Sequence, residues 1–210
     1  YSSAWLLKDV QMEYLQEKFD KKGLMILYTA PWPGQGFYTK FPVNSVSDFS
    51  GKKLRIYSTA TQQMGSMLGF NATILPFAEI PQAFSTGLIE ALFTSPQTGI
   101  DIQAWDNTKH FTYAGAIFSK NAVVVTKKAF NALSKGDQSN ILAAAKKAEL
   151  RGWEMSAETT KKQIDILKKN GMSSKNAPDE VISKMKSIGL EMMKNWRSKA
   201  SPEANSVLDR

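Results

Sequence analysis

The order of local patterns predicts an α/β fold built on a parallel sheet, and three observations carry that expectation. Two consecutive strand–helix–strand patterns with short connections run from Leu54 to Thr94. Val123–Val125 is apolar on both faces, which suits a central strand. A proline-free segment over 134–170 reads as a helix of about 50 Å at 1.5 Å per residue, longer than one small domain and so expected to run across two lobes.

Each element has its own local reason. Leu6, Leu7, Val10, Tyr14, Leu15 and Phe19 recur at helical spacing, and Gly23 follows Lys21 and Lys22 where a C-terminal cap belongs. Leu24 to Thr29 then reads as a short buried strand. Two prolines and two glycines punctuate Pro31–Gly36, which makes it a loop, with Trp32 either a lid over local core or a plane on which a ligand stacks. Phe37 to Val43 is a β-rich run. Leu54 and Ile56 alternate with Arg55 and Tyr57 in the next strand, a helix over Gln62 to Leu68 is closed by Gly69, and a strand follows at Ala72 to Leu75. Pro76–Pro81 turns the chain into a short helix stopped at Gly87, and Leu88 to Thr94 forms the next strand.

A helix is expected around Gly99 to Trp105, with Phe111–Phe118 and Ala122–Thr126 forming two strands about a turn at Ser119–Asn121. The long helix follows. Ala177–Glu180 then starts a last helix, Val181 to Trp196, whose Ile182, Met185, Ile188 and Met192 share an apolar face.

Composition removes several function classes. The chain has 210 residues, 42% apolar and 22% charged, ordinary for a globular protein. Its net charge of +8 comes mostly from lysines scattered among acids and amides, which describes a solvated basic surface better than a nucleic-acid track. With no cysteine and only His110, thiolate metal sites, a cysteine nucleophile and an imidazole-built zinc site are excluded. No run reaches the roughly 18 apolar residues of a membrane span, and Tyr1 opens without a leader pattern, so an exported protein would have lost its leader or be given without it.

Arg55 is the residue that points to a site. A guanidinium inside an apolar strand needs an anion, and two readings stand: an Asp or Glu pairs with it structurally, or it clamps a ligand carboxylate through two parallel hydrogen bonds. Ligands of open α/β sheets lie beyond the carboxyl ends of the strands, where Tyr57, Ser58, Pro76, Phe77, Thr94 and Ser95 fall.

Phe49-Ser50-Gly51-Lys52-Lys53-Leu54-Arg55, Pro76-Phe77-Ala78-Glu79-Ile80 and Ala83-Phe84-Ser85-Thr86-Gly87-Leu88-Ile89-Glu90, followed by the Val123 strand and the long helix, resemble the solute-binding receptors of TRAP (tripartite ATP-independent periplasmic) transporters. The resemblance covers nearly the whole chain. It implies a two-lobed, hinged, periplasmic-binding-protein-like α/β fold with a long inter-lobe helix and the first lobe incomplete. The expected division is 1–34 in lobe I, 35–120 as lobe II with the ligand site, 121–160 returning to lobe I, and 161–210 as C-terminal helices packing on lobe II.

Functionally the resemblance implies a periplasmic receptor that binds a small organic acid and delivers it to TRAP membrane subunits, with no catalysis, cofactor, metal or nucleic acid. Arg55 matches the family's carboxylate-clamping arginine. Gln35 stands where a second basic contact is common, with Lys40 the other candidate, and Thr94 or Ser95 stands where the family often has an Asn before a Pro. The expected ligand contacts are therefore Arg55, Gln35, Trp32, Phe37, Tyr57, Phe77, Thr94 and Ser95. One guanidinium among aromatic walls suits an apolar or aromatic monocarboxylate. The alternatives are an extracytoplasmic sensing module on the same fold, or a small hydrolase or isomerase using Ser183-Lys184-Met185-Lys186 as a Ser-x-x-Lys motif.

Overall fold

The computed structural model describes residues 2–209, with side-chain environments from Ala4 onward. In chain order the elements are α1 (Ser2–Asp20), β1 (Leu24–Pro31), β2 (Gln35–Thr39), β3 (Lys53–Ile56), α2 (Thr59–Met67), β4 (Asn71–Ile74), α3 (Ile80–Ser85), β5 (Ala91–Thr94), α4 (Pro96–Asp101), β6 (His110–Ala116), β7 (Lys120–Thr126), α5 (Lys127–Asn131), α6 (Lys135–Lys169), β8 (Ser173–Asn176), α7 (Asp179–Arg197) and α8 (Pro202–Leu208). The chain forms two compact units. One takes the described residues up to Trp32, Phe118–Thr159 and those from Arg197 on; the other takes Pro33–Ile117 and Thr160–Trp196. The single helix α6 contributes to both.

The second unit holds a six-stranded sheet in the order β4-β3-β5-β2-β6-β8. The strand–helix–strand patterns yield the parallel pairs β3–β4 and β3–β5, and β8 runs parallel to β6. The sheet is nevertheless mixed rather than parallel throughout, because β2 enters from a short loop instead of a helical crossover and pairs antiparallel with both β5 and β6. Alternation along β3 sends Leu54 and Ile56 into a core with Phe37, Phe49, Phe70 and Phe93 and, from α7, Val181, Met185 and Ile188. Arg55 therefore takes the other face. Its row crosses the sheet as Thr73, Arg55, Leu92, Tyr38, Phe111 and Ser174, and Leu92, Tyr38 and Phe111 of that row pack against Ile80, Phe84 and Leu167.

In the first unit β1 and β7 pair antiparallel from Leu24↔Thr126 to Pro31↔Lys120. Trp153 of α6 is 2% exposed beside them, edge-on to Trp5 of α1 with ring centroids 4.9 Å apart. A buried polar network ties these elements together. Lys8 Nζ lies 2.7 Å from Asp9 Oδ1 and 3.4 Å from Glu149 Oε2, and Glu149 Oε1 accepts from the backbone N–H and hydroxyl of Thr29 at 2.9 and 2.7 Å. Each buried charge thus has an opposite charge and hydrogen bonds around it, the condition for tolerating burial.

Three expectations need correction. The β6 and β7 strands do not pair as a hairpin; they belong to different sheets. The apolar run of β7 is not central: among the described residues its sheet has only β1 and β7, and Val124 is 42% exposed. The C-terminal residues also divide. α7 packs on the six-stranded sheet, whereas α8 packs on α1 and is held by Arg197 Nη1 donating to Asp209 Oδ1 at 2.8 Å, so the last residues join the first unit. The strand β8 and helix α8 were not legible at all, because Ser173–Asn176 has no apolar alternation and α8 is only two turns long.

One tight contact offers a check on the packing. Gly99 of α4 lies against Tyr38, and a Cβ there would fall 2.0 Å from the Tyr38 hydroxyl oxygen and 2.3 Å from Cζ. Gly99→Ala is expected to lower unfolding free energy by about 1–3 kcal/mol through overpacking, read as a lower denaturant midpoint with an unchanged slope.

Candidate functional site

Arg55 sits near the carboxyl end of β3, 5% exposed. Its Nε donates to the carbonyl of Leu75 at 3.0 Å, just beyond the end of β4. Among the described residues no carboxylate lies within ion-pairing distance of it. Burial alone holds the guanidinium below its usual pKa, with Tyr57 acting weakly in the other direction, and the group remains a cation throughout the working pH range. Tying Nε to a backbone carbonyl leaves the two Nη groups as a fork suited to an end-on carboxylate. The structural reading, an Asp or Glu partner, thus finds no partner.

Tyr57 and Gln35 join Arg55. The Tyr57 ring lies with its centroid 5.9 Å from the Arg55 guanidinium carbon, and its hydroxyl donates to Gln35 Oε1 at 3.0 Å. Gln35 is 2% exposed at the first position of β2. Lys40, the other candidate for that role, lies past the opposite end of β2, about 17 Å along the strand from Gln35 at 3.4 Å per residue. Its ammonium donates to the Phe84 carbonyl at 3.1 Å. Geometry favours Gln35 of the two.

The remaining candidates separate. Thr94 ends β5, 6% exposed, and two residues along the strand it shares the face of Leu92, the neighbour of Arg55. Ser95 is 2% exposed, but its hydroxyl caps α4 by accepting from the Thr98 backbone N–H at 3.1 Å. Phe77, in the 3-10 turn after Leu75, is 53% exposed. Phe37 is fully buried, its ring 4.8 Å from both Phe49 and Phe93, so it serves the core on the face away from Arg55. Trp32 belongs to the first unit, where its indole Nε1 donates to Asn121 Oδ1 at 3.2 Å and its backbone N–H to the Ser119 carbonyl at 2.8 Å.

Lys120 is a further partly buried cation that the sequence did not single out. It opens β7 opposite Pro31, partly buried, and among the described residues it has no carboxylate within ion-pairing distance. Burial first, and the Lys8 ammonium second, lower its pKa. One lysine among so many gave no signal in the sequence. Among the described residues no group of three or more His, Cys, Asp or Glu is arranged to hold a metal ion, and no helix is long and apolar enough to cross a membrane.

The structure thus offers an open α/β sheet with a buried guanidinium near its strand ends and, among the described residues, no carboxylate within ion-pairing distance of it. Comparison with known proteins gives the family: residues 2–199 match the model of the bacterial extracellular solute-binding protein family 7, DctP, and the chain belongs to that family. Among solved structures, the Bordetella pertussis extracytoplasmic solute receptor DctP7, which binds pyroglutamic acid, is 37% identical with a TM-score of 0.96, over 99% of this chain and 69% of that one. A marine metagenome TRAP solute-binding protein specific for pyroglutamate is 31% identical with a TM-score of 0.93, over 100% of this chain and 69% of that one. A solute-binding protein of Chromohalobacter salexigens is 25% identical over 160 residues, which span 72% of this chain and 47% of the relative. The chain thus matches about half the length of that curated relative.

Two stability experiments follow from these two cations, neither of which has a carboxylate within ion-pairing distance among the described residues. Arg55→Met is expected to stay within about 1 kcal/mol of the parent in chemical denaturation without ligand, whereas removing one partner of a buried ion pair would cost about 3–5 kcal/mol. For Lys120 the folded state binds its proton more weakly than the unfolded chain. Its penalty is full below the folded-state pKa and disappears as pH rises through the ordinary lysine range, so stability is gained with rising pH. The parent should therefore gain stability relative to Lys120→Gln between neutral pH and the ordinary lysine pKa, measured by urea unfolding across that range.

Proposed function

We propose that this chain is the solute-recognition part of an extracytoplasmic receptor that binds a small monocarboxylate with an uncharged lactam ring, pyroglutamate in the first instance, and passes it to TRAP membrane subunits. The observation that carries the reading is Arg55: a guanidinium 5% exposed, with Nε committed to Leu75 and no acidic partner among the described residues. Retaining so costly a group is explained by a ligand carboxylate that completes the pair.

The chemistry around it narrows the ligand. Gln35, a neutral carboxamide, stands where a second cation would favour a dianion, so one carboxylate and one uncharged polar group match the donors and acceptors supplied by Arg55, Tyr57 and Gln35. Thr94 adds a hydroxyl on the same side of the sheet. Phe37 and Phe93 are taken by the core, which supports a small ring over a bulky aromatic body. Three relatives more than 30% identical bind pyroglutamate, a five-membered lactam that carries one carboxylate.

Titration calorimetry tests the reading. Pyroglutamate is expected to bind saturably, and Arg55→Ala or Arg55→Lys to weaken it by about 2–4 kcal/mol while leaving the melting temperature without ligand near that of the parent. Ligand recovered unchanged after long incubation separates a receptor from an enzyme. Normal pyroglutamate binding by Arg55→Ala would remove the proposal.

A further inference from the structure

In the row that carries Arg55, Tyr38 stands between Leu92 of β5 and Phe111 of β6 and is fully buried. Phenylalanine would fill that position without a polar atom, and a buried hydroxyl costs free energy unless it is bonded. Burial first, and the Asp101 carboxylate second, push the phenol well above its usual pKa, so it stays protonated and donates. Its proton goes to the turn between β5 and α4: the hydroxyl oxygen lies 3.2 Å from the Ser95 carbonyl oxygen and 3.4 Å from that of Pro96. Helix α4 approaches this closely because it presents Gly99, where a Cβ would fall 2.0 Å from the same hydroxyl oxygen.

The same turn is fixed on its other sides. Ser95 Oγ accepts from the Thr98 backbone N–H at 3.1 Å and donates to Thr98 Oγ1 at 3.1 Å, so both roles of that hydroxyl are used inside α4. From α6, Gln163 is 7% exposed and donates through Nε2 to Gln97 Oε1 at 2.9 Å. Thr94 immediately precedes these contacts, on the face of Leu92 and Arg55, and its cross-strand neighbour is Gly36, which brings no side chain to that face. Of the two adjacent hydroxyls, Ser95 is committed to its own helix, which makes Thr94 the one for a ligand contact.

We propose that Tyr38 is a positioning residue for ligand recognition: by holding the Ser95 and Pro96 carbonyls it sets Thr94 at the strand end beside Arg55, where the Thr94 hydroxyl bonds the ligand whose carboxylate Arg55 clamps. The inference rests on the pyroglutamate reading above and adds a residue that acts on the ligand without touching it. Groups that bind a ligand have to be held within about 0.5 Å of their productive position by the packing and hydrogen bonds behind them. A fully buried ring in a dense interior supplies such a mount, and its hydroxyl carries the position of the interior to the turn. A core hydroxyl with a structural role alone would change stability and leave affinity untouched.

The test is titration calorimetry with pyroglutamate on the parent, Tyr38→Phe, Thr94→Val and the double variant, at a temperature where thermal unfolding without ligand shows each to be folded. Tyr38→Phe removes a single oxygen and Thr94→Val keeps the side-chain shape, and each is expected to weaken binding about fivefold, the range of one neutral hydrogen bond. Because Tyr38 acts through Thr94, the double variant is expected to bind about as weakly as the weaker single variant, rather than by the product of the two losses. Should Tyr38→Phe fail to fold, Gly99→Ala, which crowds the same hydroxyl from α4, takes its place. Parent-like affinity in Tyr38→Phe or in Thr94→Val, or losses that multiply in the double variant, overturns the inference and leaves the pyroglutamate reading standing. Failure of the parent to bind pyroglutamate overturns that reading, and the inference with it.

Discussion

A cation withdrawn from water without a carboxylate beside it is the constraint around which the second unit is arranged. Arg55 is tolerated there because its Nε has the Leu75 carbonyl and its guanidinium lies near the Tyr57 ring. Everything that fixes its direction is backbone: the parallel pairing of β3 with β4 and β5, and the carboxyl-end turn that presents Leu75. In the proposed function a fork held by main-chain geometry is preorganised, so less ordering cost would fall on binding.

The two faces of the sheet divide labour. One face is spent on an aromatic core, Phe37, Phe49, Phe70 and Phe93, clamped by α7. The other carries Arg55 in line with Leu92, Tyr38 and Phe111, so the buried guanidinium stands at one end of a packed apolar row. Interiors this dense resist small displacements, which lets the row act as a rigid mount. Among the described residues the non-glycine positions in the left-handed region are Gln103 and Ile117, and neither lies within that row.

The first unit solves a different problem with the same chemistry. Its buried lysine, Lys8, is fully partnered by Asp9, Glu149 and the faces of Trp5 and Trp153, and Glu149 is in turn held by Thr29. Lys8 is buried within a paired network, and Arg55 is buried with no carboxylate of the described residues within ion-pairing distance. The contrast between Lys8 and Arg55 is invisible in the sequence, since both are single basic residues in amphipathic surroundings. Elements with strong periodicity, α6 and α7 above all, were legible because one turn of residues repeats its own signal. The site was legible at Arg55, where a charge breaks an apolar alternation, and at Gln35 only through resemblance.

By itself the sequence determined most of the helices and strands, though not β8 or α8, together with the face on which Arg55 lies and the family, because these depend on near-neighbour periodicity and on ordered motifs. Only the tertiary structure decided that β2 runs antiparallel between β5 and β6, that Phe37 belongs to core, that α8 joins α1, and that among the described residues no acid pairs with Arg55. Those facts concern pairs of residues far apart in the chain, and local propensity holds no record of which distant partner a strand edge or a charge will meet.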